Sequence, residues 1–203
     1  MSISGIDRER PRLILASASP RRLILLEQIG IIPDETVAAE VDEAACRHER
    51  PGGLAARLAE AKARQIAARF PGTLVLGADT VVACGRRVLP KADDEGEARR
   101  CLEFLSGRRH RVHGGVSVID GQGQAHARRV VTVVAFKRLS REDISDYISR
   151  GEWRGKAGAY AIQGHAAAFV RQISGSYSNV VGLPLFETAC LLKGLGYDTR
   201  LDT

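Results

Sequence analysis

A serine–proline step followed by two arginines, Ser17-Ala18-Ser19-Pro20-Arg21-Arg22, comes directly after the apolar run Arg12–Ala16. The run predicts a buried strand. Ser19 suits a helix N-cap and Pro20 the first helical position. Backbone N–H groups at such a strand-to-helix corner point outward and favour anions. Cations in a first turn oppose the macrodipole, at up to about 1 kcal/mol per charge. A bound polyphosphate would reverse that sign, and the hydroxyls of Ser17 and Ser19 with the guanidiniums of Arg21 and Arg22 would add charge-assisted donors. The plain alternative is two solvated arginines beyond an ordinary cap. The segment lacks GxxxxGK[ST], so it is not a Walker A loop.

Three more segments carry candidate charge. On a helical wheel Lys62 falls inside an apolar arc of Leu54, Ala55, Leu58, Ala61 and Ile66. A lysine there either snorkels or points into a cleft with a counter-anion. Asp79 stands between Val75-Leu76 and Val81-Val82. Such an acid is costly unless paired, metal-bound or at a strand mouth, which makes it a candidate general base or metal ligand; the alternative is a strand-end aspartate capping a turn. Lys91 follows the Gly85–Pro90 turn, and a hairpin could return it to Asp79, or leave it solvated in a loop. The run Gly155–Gly164, GKAGAYAIQG, permits close backbone approach to a ligand, and the Gln163 amide could read a base edge.

These residues need elements to hold them. Helices are expected over Pro20–Ile29, Leu54–Phe70 after Gly52-Gly53, Asp93–Leu105, Ser140 to Ser149 or Arg150 with a capping box, and Pro184–Leu195. Strands are expected over Thr73–Ala83, Val112–Ile119, Arg129–Phe136 and Phe169–Ile173. Gly151–Gly182 gives no clear periodicity. The alternation predicts an α/β fold with a mixed, partly antiparallel sheet flanked by helices. Residues 1–11 read as a flexible lead and 12–203 as one domain.

At 203 residues the chain can bury a core without staples. Its net charge of +6 favours anionic partners without choosing among them. The basic residues are dispersed and aromatics are only 5%, which weighs against a nucleic-acid surface. No stretch is apolar enough to span a membrane and Met1–Pro11 has no apolar core, so a cytoplasmic protein is expected. Cys46, Cys84, Cys101 and Cys190 are scattered, which speaks against zinc and disulfides and for small buried hydrophobes. The histidines form no catalytic set; His110 and His113 should face opposite sides of one strand. Only 5 of the 30 Lys and Arg residues are lysine, which makes each lysine a candidate for a place where Arg would not fit, the plain alternative being a genome that favours Arg codons.

In order, LASASPRRLILLEQIG, VDE at 41–43, LAEAKAR, VLGADTVV, VLPK, LSG at 105–107, GKAGAYAIQG and ISGSYSNVVGLPLFET resemble the Maf family, the septum formation inhibitor-like nucleotide pyrophosphatases. The likeness runs from about Arg12 to Leu195. It implies a Maf/ITPase-like fold with a long central cleft. It also implies hydrolysis of nucleoside triphosphates to the monophosphate and pyrophosphate, with a divalent cation, Mg²⁺ or Mn²⁺.

By the same resemblance Asp79 is the proton acceptor for water. Ser17, Arg22, Glu43, Lys62 and Lys91 line the phosphate and metal site, with Glu43 and Asp79 as metal contacts. Arg21, Thr80 and Gln163 govern base choice, and the KAGAYAIQG wording is similar to the dTTP/UTP subgroup. Two positions depart from the family pattern. Ala92 replaces a usual proline, and Gly114 a common threonine, which removes a hydroxyl.

The expected chemistry is attack of water on the α-phosphorus, with Arg22, Lys62, Lys91 and the metal stabilising the charge that develops. The competing readings are a pyrophosphatase for another nucleotide such as 7-methyl-GTP, and a non-catalytic regulator of cell division. The expected partner is the nucleoside triphosphate, with neither nucleic acid nor membrane; a homodimer stays open because no seam is legible.

Overall fold

The computed structural model describes residues 10–197. In chain order the strands are β1 (Leu13–Ala16), β2 (Glu35–Val37), β3 (Leu74–Cys84), β4 (Arg87–Leu89), β5 (Arg109–Ile119), β6 (Ala125–Phe136) and β7 (Val170–Ser174). The α-helices are α1 (Pro20–Gln28), α2 (Pro51–Ala67), α3 (Glu95–Leu105), α4 (Arg141–Ser149), α5 (Tyr177–Val181) and α6 (Leu185–Gly194). The seven strands form one mixed sheet in the order β2-β1-β3-β5-β6-β7, with β4 paired to β3. β1 is parallel to both of its neighbours, and every pairing from β3 onward is antiparallel. This is the mixed α/β class the alternation of elements predicts.

The two faces are covered unequally. One carries the main core, where Leu13, Leu15, Leu76, Ala78, Val112 and Val116 meet apolar residues of α1, α3, α4 and α6. The other is covered by α2, through Ile14, Ala63, Ile66 and Val75 and through Leu54, Ala55, Leu58 and Val81. α2 lies unusually low. A Cβ on Gly77 would sit 2.3 Å from the Ala59 carbonyl oxygen, and one on Gly115 would sit 2.2 Å from that of Ala55. Two glycines facing two alanines let helix backbone rest on strand backbone, which brings the next turn of α2 over β3.

Some expectations need correction. α2 begins at Pro51, so Gly52-Gly53 form its first turn instead of preceding it, because a proline with fixed φ suits that position. It ends at Ala67, three residues before Phe70. Its buried stripe runs through Ala59 and Ala63, leaving Ala61 at the edge. Only Cys101 is buried; Cys46 and Cys190 are exposed and Cys84 is half-buried. The lead expected over residues 1–11 lies, for residues 1–9, outside the described residues. The capping box at Ser140 and Asp143 is present as predicted. His110 and His113 face opposite sides of β5, as period-two alternation demands: His110 meets Phe136 and Tyr160, and His113 lies against Gly52 of α2. No helix among the described residues is long and apolar enough to cross a membrane.

Candidate functional site

The α2 register carries the first consequence. Lys62 lies with Ala59 and Ala63 on the sheet side of the helix and is only 7% exposed. It does not snorkel. Its ammonium donates to Asp79 Oδ1 at 2.7 Å and to Glu43 Oε1 at 2.6 Å. Asp79 itself is 4% exposed, and its Oδ2 makes no hydrogen bond among the described residues. Its side chain shares the α2 face of β3 with Gly77, two residues before it, so the close approach at Gly77 also sets the Lys62–Asp79 contact.

Lys91 returns through the β3–β4 hairpin, as the turn at Gly85–Pro90 allows, but its partner is Glu43 and not Asp79. Its Nζ donates to Glu43 Oε2 at 2.6 Å. Asp79, Lys62, Glu43 and Lys91 therefore form one chain of alternating charge. Burial pushes the Glu43 carboxyl up, but the hydrogen bonds from Lys62 and Lys91 outweigh it and hold the group at about 2. The Lys91 loop is pinned from the far side as well, by the Lys91–Ala157 bridge and by Gly158 N–H donating to Pro90 O at 2.9 Å. The loop with Ala92 in place of proline thus has a backbone partner of its own.

The strand-to-helix corner supplies the opposite wall. Ser17 is buried, and its Oγ accepts from Ser19 N–H and from Arg22 Nη1, each at 3.1 Å. Ser19 occupies the N-cap of α1 by backbone geometry, but its hydroxyl makes no capping bond and lines the cavity instead. No acid sits in the first turn of α1. Arg21 and Arg22 are offset by carbonyls at the C-terminal end of α5: Arg21 Nε donates to Val181 O at 3.3 Å, and Arg22 Nε to Gly182 O at 2.9 Å. Burial lowers the pKa of both guanidiniums, and Asp79 partly restores that of Arg22. The Gly182 carbonyl also accepts from Thr80 Oγ1, at 3.4 Å. It is aimed by a φ of 146°, open to glycine and strained for any other residue.

α5 is in turn bolted to the sheet. Asn179 is fully buried and donates to Val112 O at 3.2 Å and to Thr132 Oγ1 at 3.0 Å. It has room because position 114 is glycine, where a Cβ would stand 1.8 Å from Asn179 Oδ1. The missing side chain at Gly114 is therefore filled by the anchor of the helix that orients Arg22.

Ser17, Ser19, Arg21, Arg22, Glu43, Lys62, Asp79, Thr80, Lys91 and Gln163 all line one cavity of about 370 Å³, within the range of small-molecule sites. Gln163 is exposed at its rim. Two further cations line it that the residue reading passes over, Arg154 and Lys156. Lys156 is one of the five lysines and stands in the GKAGAYAIQG run, a signal that could have found it. Burial and the nearby Arg21 lower its pKa. The lining holds six cationic side chains against the carboxylates of Glu43 and Asp79, an excess of four positive charges.

Among the described residues no group of three or more His, Cys, Asp and Glu side chains stands together to hold a metal. Glu43 and Asp79 offer hard carboxylate oxygens to the same cavity, with Asp79 Oδ2 uncommitted. That donor set fits Mg²⁺ or Mn²⁺ of the kind bound by one or two carboxylates plus substrate phosphate oxygens, and does not fit a closed all-protein cage.

Fold and site define an α/β protein built around an anion cleft with carboxylates at its base. The chain belongs to the Maf family: the model described as "Maf-like protein" matches residues 12–195. A curated relative from Paramagnetospirillum magneticum, called "dTTP/UTP pyrophosphatase", is 61% identical over 91% of this chain and 97% of its own. One of the same name from Rhodospirillum rubrum is 58% identical over 91% of this chain and 88% of its own. Among solved structures, a nucleoside-triphosphatase (dITP/XTP pyrophosphatase) from Mycobacterium abscessus covers 63% of this chain and 74% of its own, at 17% identity and a TM-score of 0.41, an overlap too partial to carry weight.

Proposed function

We propose that this chain is a nucleoside triphosphate pyrophosphatase that hydrolyses dTTP and UTP to the monophosphate and pyrophosphate. The observation that carries this reading is the union, in one cavity, of a four-charge cationic excess with a buried carboxylate whose second oxygen is uncommitted. The excess matches a triphosphate tail, and the carboxylate supplies a base. The high identity to relatives named for that activity selects the substrate class.

In this mechanism Asp79 Oδ2 accepts a hydrogen bond from water and takes its proton as the oxygen attacks the α-phosphorus. The bond from that phosphorus to the bridging oxygen breaks, and pyrophosphate leaves with the electron pair. Lys62 holds Asp79 Oδ1, which fixes the carboxylate plane and leaves Oδ2 toward the cleft. Arg22 is held through Nε and Nη1, so Nη2 remains to meet a phosphate oxygen. Arg21, which lines the cavity, is held through Nε alone, so both of its terminal nitrogens remain to donate. Lys91 and the third donor of Lys62 complete the stabilisation of charge gathering on the leaving oxygens.

Glu43 and Asp79 would hold the divalent cation, which when bound neutralises phosphate charge. Thr80, Arg21 and Gln163 are the groups assigned to base choice, with the Gln163 amide able to donate and accept at a pyrimidine edge. Residues 12–203 act as one catalytic domain in the cytoplasm, and the protein needs neither nucleic acid nor membrane.

The test is a panel of canonical triphosphates and 7-methyl-GTP, with and without Mg²⁺ or Mn²⁺, assayed separately for pyrophosphate and single phosphate. Pyrophosphate release from dTTP and UTP, dependent on the cation, is expected. Preference for 7-methyl-GTP, or no turnover of any triphosphate, overturns it.

A further inference from the structure

Glu43 reaches the cleft from a segment with no helix or strand of its own. Beyond β2 the chain continues as a strap over 38–50 that lies alongside α2. Residues 39–45 make no backbone–backbone hydrogen bond among the described residues. Side chains of α2 hold the strap instead. Gln65 takes both backbone groups of Glu40: the Glu40 N–H donates to Gln65 Oε1 at 2.8 Å, and Gln65 Nε2 donates to Glu40 O at 2.6 Å. Arg57 takes the other end. Its Nη2 donates to Ala44 O at 2.8 Å, and its Nε and Nη2 grip the Glu49 carboxylate at 2.9 and 3.0 Å. Glu49 in turn accepts from Cys46 N–H at 3.0 Å, which closes the turn at the strap's end.

Glu43 hangs between these two clamps. Strap and helix run antiparallel, with Glu40 at Gln65, Glu43 at Lys62 and Ala44 at Arg57. Gln65 and Arg57 stand about 12 Å apart along the helix axis. The chain from Glu40 to Ala44 spans about 13 Å when extended. The two lengths agree, so the strap is drawn out between the clamps and its side chains alternate. Ala39 and Val41 pack against the apolar clusters that α2 forms with the sheet, and Glu40 and Asp42 face solvent. Glu43, next in that alternation, lines the cleft. Lys62 and Lys91 take one bond from each of its oxygens. A carboxylate oxygen can accept twice, so each keeps a lone pair for a further ligand.

We propose that Gln65 and Arg57 are positioning residues, which clamp the strap to α2 so that the Glu43 carboxylate stands ready for the divalent cation. This rests on the reading above in which Glu43 and Asp79 hold that cation. Asp79 needs no such help, because β3 places it in a hydrogen-bonded ladder. Glu43 has no ladder, and its backbone position is set by side chains outside the cleft. Groups that fix a metal-binding carboxylate from behind govern affinity for the ion without touching it. Gln65 suits the task because one amide both donates and accepts, as a neighbouring strand would. Arg57 suits it because a planar fork grips a carboxylate through two bonds and still spares a donor for a carbonyl.

The test titrates Mn²⁺ into the full chain without nucleotide, following loss of the electron paramagnetic resonance signal of the free ion. Gln65→Ala and Arg57→Met should each raise the half-saturating Mn²⁺ by about fivefold or more, as loss of the strap's hydrogen bonds implies. Pyrophosphate release from dTTP should need more Mn²⁺ in the same proportion, and excess Mn²⁺ should recover it. A merely structural role would lower turnover at every Mn²⁺ concentration and leave the half-saturating value alone. Placed in a Glu43→Gln chain, neither change should add a shift, because both act through Glu43. Trypsin should also cut faster after exposed Arg47 in both variants, which reads the clamp apart from metal and reaction. Mn²⁺ shifts without turnover of any triphosphate would strike the proposed hydrolysis and support the clamp. The clamp is overturned if the unaltered chain takes up no Mn²⁺ at millimolar concentration, or if neither variant moves the half-saturating value. It is equally overturned if the shift persists in the Glu43→Gln chain or if cleavage after Arg47 is no faster.

Discussion

Lys62 and the first turn of α2 sit on one helix and meet the same sheet, yet they handle charge in opposite ways. Lys62 is buried and latched to Asp79 and Glu43 within 2.7 Å. Arg50 and its neighbours Arg86, Arg111 and Arg129 ring an open cavity with no acid in its lining. An ammonium withdrawn from water cannot stand alone, so its acids are part of the fold. Guanidiniums at a solvent-filled rim repel one another weakly, because water screens them. Removing one charge should therefore be structural at Lys62 and nearly silent at the rim.

The sharpest break is Lys62→Met. It leaves Asp79 buried without its cation, and losing one partner of a buried pair costs about 3–5 kcal/mol. Thermal unfolding should register the loss and turnover should disappear with it. Adding Asp79→Asn should restore part of the stability and none of the activity.

A neutral buried group sharpens the contrast. Burial lowers the His110 imidazole to about 4, and its Nε2 lies 2.9 Å from the Tyr160 hydroxyl. The unfolded chain binds this proton more readily. The stability is therefore whole above an ordinary pKa of 6.5 and lost as pH falls through about 4. The loss should reach about 3 kcal/mol. Denaturant melts between pH 7 and pH 4 should show it, and His110→Gln should flatten the slope.

Gly77→Ala tests the close approach that creates the latch. The added Cβ would meet the Ala59 carbonyl at 2.3 Å, so α2 must lift. A stability loss of about 1–3 kcal/mol is expected, with a fall in kcat larger than any rise in KM. The smallest effect belongs to the rim: Arg111→Ala/Arg129→Ala should keep stability within about 0.5 kcal/mol, measured by chemical denaturation.

Much of this is legible in the sequence where a residue offends its surroundings. Asp79 inside an apolar strand, Lys62 on an apolar stripe and two arginines in a first turn each announce an interaction elsewhere, and all line one cavity. The capping box and the strands β3, β5 and β6 are legible from local chemistry and period. What is hidden depends on backbone. The Val181 and Gly182 carbonyls that orient Arg21 and Arg22 leave no side-chain signature. The fit of Asn179 into the space above Gly114 joins segments far apart in the chain. The glycine-rich stretch 151–182 resists reading because positive φ at Gly155, Gly158 and Ala159 and contacts with Pro90 and Val82 shape it. The rim arginines look dispersed because four separate segments bring them together.

The central claim rests on Asp79 and is tested most directly by single-turnover release of pyrophosphate from dTTP with Mg²⁺, comparing Asp79→Asn with the unaltered chain. Lys62 keeps Glu43 as a partner in that variant, so the fold should survive, as shown by an unchanged circular dichroism spectrum. The account predicts a rate lower by about 10²-fold or more. A rate near that of the unaltered chain would contradict it.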